Sequence, residues 1–238
     1  MSSKDTAFYD IIVKKIWRID SMIKAVIFDL DGLLLDSEIT SYKIYLEIAE
    51  RFGYEFTLAD FTHNFSGQPL MHNVPLAIEL YHLPWTLEEA LEEIDIIETR
   101  LLSEGIDLKP GAKELLQYLK ENHYKTIVAS SSVRDRAINL LTQNGIVEYF
   151  DDFVFGPEVK RGKPNPDIFL KAAEKLGEAP EKCLVLEDSQ AGIQAAYAAN
   201  IPVICIPDLK KPSEEYRKKT TAVLESLNDV IDFLNEKD

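Results

Sequence analysis

The sequence predicts an α/β fold: a doubly wound, Rossmann-like parallel sheet with a helical cap inserted after its first strand. Three observations predict it. Short apolar runs suited to strands buried on both faces occur at Ala25–Phe28, Lys125–Ala129 and Cys183–Leu186. From Lys109 onward such runs alternate with segments of helical periodicity, the pattern of parallel strands joined by crossover helices. Between the first run and the second, Ser37 to Gly105 shows helical periodicity alone.

Residues 1–21 precede a second methionine, Met22, directly before the first strand. They are either an extension outside the fold or an amphipathic helix, since Phe8, Ile11, Ile12, Ile16 and Trp17 have near-helical spacing. The run Ala25-Val26-Ile27-Phe28 ends at Asp29 and Asp31 before the turn-forming Gly32. In a strand, residues i and i+2 share a face, so the two carboxylates address one volume, where a bound Mg²⁺ would remove their repulsion. A calcium loop is excluded: counted from Asp29, the sixth and twelfth positions are Leu34 and Thr40 rather than Gly and Glu.

The helical stretch carries apolar residues at Tyr42, Tyr45, Leu46, Ile48 and Ala49, and again at Leu87, Leu91, Ile94, Ile97 and Leu101. Gly67-Gln68-Pro69 and Leu83-Pro84-Trp85-Thr86 punctuate it, so four helices are expected, the last capped by Thr86 with Glu89. Its many aromatics read as its own core. His63, His72 and His82 lack the i,i+4 spacing of a helical ligand pair and do not make a zinc site.

Lys109-Pro110-Gly111 restarts the alternation, with a helix from Ala112 to Asn122 and a strand from Lys125 to Ala129. That strand ends in Ser130-Ser131-Ser132. Ser132 with Asp135 resembles a capping box and so has a structural explanation, whereas the Ser130 hydroxyl and the backbone N–H groups after it, from Ser131 on, can take a phosphate oxygen. Phe153–Phe155 is a third strand. In Arg161-Gly162-Lys163-Pro164-Asn165-Pro166, Asn165 and Pro166 suit the N-cap and first position of a helix ending near Gly177, and Lys163 stands in the loop before it. Cys183–Leu186 leads to Glu187-Asp188-Ser189 and a helix to Ala199; a last strand, Pro202–Ile206, a charged loop and a helix from Ser226 to Asn235 finish the chain. The resulting division is 22–36 and 106–238 for the α/β core and 37–105 for the helical cap.

Composition narrows the partners. With 41 acidic against 26 basic residues the net charge is −15, which argues against nucleic acid or an anionic membrane as the main partner. No apolar run approaches the roughly 20 residues of a membrane span. Cys183 and Cys205 lie in or beside apolar runs, as buried free thiols do, which fits a reducing cytoplasm. A monomer acting on a small molecule is expected.

Open parallel sheets bind ligands outside the carboxyl ends of their strands, and Asp29, Asp31, Ser130, Glu187 and Asp188 come from such ends, with Lys163 in a loop on that side. Together they suit phosphoryl transfer: one carboxylate attacks phosphorus, a second protonates the leaving oxygen, Asp188 helps hold Mg²⁺, and Lys163 with Ser130 orients the phosphoryl oxygens. Phe28-Asp29-Leu30-Asp31-Gly32, Ser130, Gly162-Lys163-Pro164 and Glu187-Asp188-Ser189, in that order, resemble the four motifs of the haloacid dehalogenase superfamily, in the branch with a helical cap after the first motif. The resemblance covers about Met22 to Ile206.

It implies that Asp29 is a nucleophile forming an aspartyl-phosphate, and that Asp31 is the general acid/base whose backbone carbonyl also meets Mg²⁺. It further implies that Asp188 is a metal ligand, that Glu187 is a ligand or the partner of one, and that the cap moves on hinges near Leu35-Asp36 and Gly105 to Leu108. Within the superfamily the chain is similar to β-phosphoglucomutases and neighbouring sugar-phosphate phosphatases. The mutases carry an arginine three residues after the cap glycine and a histidine four after the first-motif Ser/Thr; from Gly67 and Ser37, this chain has Leu70 and Ser41. A Mg²⁺-dependent phosphatase of a sugar phosphate is therefore expected, with specificity in Ser66-Gly67-Gln68 and Arg134 at the mouth. A mutase and a non-catalytic sugar-phosphate binder are the alternatives.

Overall fold

Strand β1 (Ala25–Phe28) sits at the centre of a six-stranded parallel sheet, between β2 (Lys125–Ser130) and β4 (Cys183–Glu187). β3 (Asp152–Phe155) lies outside β2, and β5 (Val203–Cys205) and then β6 (Ala222–Val223) lie outside β4, giving the order β3-β2-β1-β4-β5-β6. The computed structural model describes residues 23–235, so the two readings of residues 1–21 lie outside the described residues.

Every β1 side chain is fully buried, which is why the strand reads as an unbroken apolar run. The pleat sends Val26 and Phe28 to one face and Ala25 and Ile27 to the other. On the first face they meet α5 (Ala112–Glu121), α6 (Arg134–Gln143) and α10 (Asn228–Asn235) through Leu115, Leu119, Leu140 and Val230. On the second they meet α7 (Asp167–Leu176) and α8 (Gln190–Ala198) through Phe169, Ala172, Ile193 and Ala196.

Four helices fill the stretch between β1 and α5: α1 (Ser37–Arg51), α2 (Leu58–Asn64), α3 (Leu70–Leu80) and α4 (Leu87–Glu104). They bury a separate cluster built on Tyr45, Ile48, Phe56, Phe61, Phe65, Ile94 and Ile97. The expected Thr86/Glu89 capping box is present, and Thr57 with Asp60 makes a second one at α2. The chain enters and leaves these helices side by side: Leu35 bridges Leu108, and the Asp36 N–H donates to Asp107 O at 2.9 Å.

Three local expectations are corrected. Ser132 does not cap α6, whose N-cap is Val133 without a side-chain bond, because its hydroxyl is spent on Asp31. Asn165 does not cap α7; Pro166 holds that position, and the Asn165 amide turns back to Gly162 O. The strand at 203–205 is not the last, since β6 follows it, and a short helix α9 (Glu214–Arg217) interrupts the charged loop. Both cysteines are buried and free, and among the described residues no helix is long and apolar enough to cross a membrane.

Candidate active site

Strand order sets the site. From β1 the chain builds outward through β2 and β3, then returns to lay β4, β5 and β6 on the other side, so the crevice at the carboxyl ends opens between β1 and β4. Phe28 pairs with Leu186, which brings Asp29 and Glu187-Asp188 off adjacent strand ends. Carboxylate oxygens of Asp29, Glu187 and Asp188 all lie within 4.8 Å of one another. Two glycines make that approach possible: a Cβ on Gly32, already at φ +84°, would stand 2.4 Å from Asp188 Oδ2, and one on Gly192 would meet Glu187 Oε1 at 1.6 Å.

Lys163 joins the acids. Its Nζ donates to Asp29 Oδ1 at 2.5 Å and to Glu187 Oε1 at 2.6 Å, over the face of the Phe169 ring at 4.8 Å. The other Glu187 oxygen accepts from the Ser189 N–H and hydroxyl at 2.8 and 2.9 Å, while the Ser189 hydroxyl accepts from the Gly192 N–H and so caps α8. Glu187 is fully buried and fully engaged, which makes it the support of Lys163. Asp188 differs: its Oδ1 is buried with no hydrogen-bond partner.

The electrostatics follow from burial. Desolvation raises Asp29 to about 7, with Glu187 and Asp31 adding to the rise and Lys163 opposing it. Asp188 is pushed well above the ordinary carboxylate range, first by burial and then by Glu187 and Asp29. Lys163 goes up despite its burial, because two carboxylates flank it. Fully ionised, the three carboxylates would carry two negative charges beyond the one Lys163 ammonium, the repulsion a cation would relieve. An all-oxygen donor set with an orphaned buried oxygen and that charge fits a hard divalent cation such as Mg²⁺, with Asp29 and Asp188 as the free carboxylate ligands.

Asp31 lies outside this acidic group. Its carboxylate accepts from Ser132 Oγ at 2.7 Å and from Arg136 Nη1 at 3.0 and 3.2 Å. Ser130 is buried at the end of β2, where its Oγ accepts from the Ser132 N–H at 3.0 Å; Ser131 is exposed in the following turn.

The expected specificity residues are spread out. Ser66 is buried, its carbonyl accepting from Lys210 Nζ at 3.0 Å, and its hydroxyl with the Gly67 N–H faces Glu38. Gly67 and Gln68 are exposed. Arg134 is half exposed and engaged elsewhere, with Glu158 at 2.8 Å and over the Phe155 ring at 4.8 Å.

Sequence reasoning missed Glu38, Glu98 and Arg136 and explained Ser132 away. Arg136 had a signal: it stands four residues after Ser132, one helical turn, and its Nη1 meets the Ser132 hydroxyl at 3.0 Å. Glu98 had none, because its place depends on how α4 packs against α6.

The family model for haloacid dehalogenase-like hydrolases matches residues 26–206. The sequence is similar to a phosphorylated carbohydrates phosphatase of Thermotoga maritima, 35% identical over 179 residues, 75% of this chain and 82% of the relative. The structure is similar to that of a HAD family hydrolase from Deinococcus radiodurans R1 with bound phosphate and sodium, at a TM-score of 0.79 and 25% identity, covering 92% of this chain and 97% of that one. It is also similar to a β-phosphoglucomutase from Clostridium difficile, at a TM-score of 0.68 and 30% identity, covering 90% and 98%.

Proposed function

Because the chain belongs to the haloacid dehalogenase-like hydrolase family, we propose that it is a Mg²⁺-dependent phosphatase of a small sugar phosphate, working through an aspartyl-phosphate. The observation that carries this reading is Lys163 held between Asp29 and Glu187, beside Asp188, at the open ends of β1 and β4.

Asp29 is the nucleophile. Lys163 fixes one of its oxygens and leaves the other for in-line attack on phosphorus, while the sugar oxygen leaves and takes a proton from Asp31. The Lys163 ammonium, the Ser130 hydroxyl and the Ser131 backbone N–H receive the phosphoryl oxygens in this reading. Asp31, now a carboxylate, takes a proton from water, whose oxygen attacks phosphorus and returns Asp29 with release of inorganic phosphate. Mg²⁺, when bound, would be held by Asp29, Asp188 and the Asp31 backbone carbonyl and would supply charge neutralisation for phosphoryl transfer. The helical segment 37–105 acts as the cap that excludes water, moving about the paired crossings at Leu35 and Leu108.

The β-phosphoglucomutase neighbour makes a mutase the second reading, but Leu70 and Ser41 offer no charge for a second phosphate. The test is phosphate release from a panel of sugar phosphates and nucleoside monophosphates, with Mg²⁺ and with chelator. Mg²⁺-dependent release from a group of related sugars is expected. Conversion of β-glucose 1-phosphate to glucose 6-phosphate with a bisphosphate primer, without release, would make the protein a mutase.

A further inference from the structure

Arg136 is the only basic side chain, among the contacts the structure describes, that bonds to the carboxylate of Asp31. It is three-quarters buried on α6, and its Nε reaches across to Glu98 Oε1 on α4 at 3.4 Å. One guanidinium therefore spans the general acid, the Ser132 hydroxyl beside it and a carboxylate of the helical segment. A fork of fixed geometry cannot follow two carboxylates that move apart, so displacement of α4 changes its hold on Asp31.

We propose that Arg136 is a positioning residue for Asp31, and that Glu98 acts through it to tie the orientation of the acid to the seating of α4. The inference rests on the phosphatase reading above. In the arrangement described, the Asp31 carboxylate is held by Arg136 and Ser132 and stands outside the group of Asp29, Glu187 and Asp188 oxygens. Proton delivery to a leaving oxygen requires the carboxyl within hydrogen-bond reach of it, and loss of that alignment costs about 100-fold. In the step that forms the aspartyl-phosphate, free rotation of Asp31 after removal of the guanidinium is therefore felt where a proton must be delivered, and little where it need not be. A sugar alkoxide is a poor leaving group that needs the proton; p-nitrophenolate leaves without it.

The experiment measures kcat and KM for a sugar phosphate that the wild type hydrolyses and for p-nitrophenyl phosphate, in Arg136→Ala, Arg136→Lys, Glu98→Gln and Arg136→Ala/Glu98→Gln. Arg136→Ala is expected to lower kcat/KM, which reads only the steps up to departure of the leaving group, by ~30-fold or more on the sugar phosphate and by less than ~3-fold on p-nitrophenyl phosphate, while kcat on both also falls because Asp31 takes the proton from water when the aspartyl-phosphate is hydrolysed. Lysine restores part of the loss, since an ammonium can still meet Asp31 but lacks the fork. Glu98→Gln is expected to cost ~3–10-fold in kcat/KM on the sugar phosphate alone, and nothing further once Arg136 is gone. Equal losses in kcat/KM on both substrates would overturn the proposal, as would a Glu98→Gln effect on kcat/KM that persists in the Arg136→Ala background. If Arg136→Ala does not fold, the lysine variant and Glu98→Gln carry the same two comparisons. A wild type that releases phosphate from neither substrate would instead overturn the phosphatase reading.

Discussion

The α/β layers and the inserted helices are built by different means. The sheet buries aliphatic strands and drives its charged groups to one edge, where Asp29, Lys163 and Glu187 are buried yet bonded to one another. The helices α1 to α4 are held by aromatic rings, with Phe61 against Tyr42, Tyr45, Phe56 and Phe65, and many of their ion pairs lie on the outside, as at Arg51–Glu93. The first arrangement can fix reacting atoms to fractions of an ångström; the second makes a body that can shift as a whole. The proposed function accordingly gives chemistry to the sheet and selection of what enters to the helices.

The largest test of that division is Asp29→Asn. With the nucleophile gone, turnover is expected to fall by ~10⁴-fold or more on every substrate, because no other group can accept the phosphoryl. Ser66→Ala, in the helical segment, is expected to change the ranking of substrates and leave the ability to cleave them. A comparable collapse of all turnover in Ser66→Ala, read by phosphate release across the panel, would break the division.

Next in size is Phe61→Ala. The side chain is 1% exposed at the centre of the aromatic cluster, and truncating such a ring costs ~3–5 kcal/mol, some 10 °C in Tm for a chain of this size. Among the described residues that cluster is built almost wholly from the segment itself, with Leu209 the one outside residue packed on it. Hydrogen exchange is therefore expected to quicken in α1 to α4 and to leave β1 and β4 protected. Exchange that quickens equally in both regions would mean that they unfold as one unit.

The same contrast explains what the sequence revealed. Asp29, Lys163, Glu187 and Asp188 were legible because each is fixed within a residue or two of a strand end or a tight loop, so local pattern and topology suffice to bring them together. Ser132 was misread for the same reason: local rules offered a capping box with Asp135, and only the meeting of β1 and α6 shows its hydroxyl on Asp31 instead. Glu98 and Glu38 were illegible, since what they touch depends on how helices far apart in sequence seat on the sheet. β6, two residues long, is too short for any periodicity to register.

Of intermediate size is the effect of metal removal. The folded state holds a proton on Asp188 at pH values where the unfolded chain has lost it, since burial, Glu187 and Asp29 raise the group from the usual 3.8. Folded stability of the metal-free protein therefore falls as pH rises from that ordinary value toward the raised one. Asp188→Asn removes this slope, so the chelated variant is expected to melt above the chelated wild type at pH 8 and to lose the advantage near pH 4. Saturating Mg²⁺ reverses the order at pH 8, giving the wild type about 2.7 kcal/mol at 100 times its Kd and the variant much less. Identical pH–Tm curves for the two would show that Asp188 carries no such burden.

The smallest expected effect sharpens the comparison most, because it uses one chemistry in both regions. Thr86 caps α4, accepting from the Glu89 N–H at 3.3 Å while the Glu89 carboxylate accepts from the Thr86 N–H at 2.7 Å, all of it exposed. Ser189 caps α8 in the same way, accepting from the Gly192 N–H at 3.0 Å, but its hydroxyl also donates to Glu187, which holds Lys163. Replacing either by alanine removes one cap and is expected to lower Tm by about 2–4 °C. Only Ser189→Ala also takes from the buried Glu187 oxygen one of its two hydrogen bonds, the backbone N–H bond remaining, so turnover is expected to fall ~3–10-fold there, with no change in Thr86→Ala. Melting curves and kcat measured together separate the two: a helix cap in the segment supports a fold, and the same cap beside β4 also supports the lysine that holds Asp29.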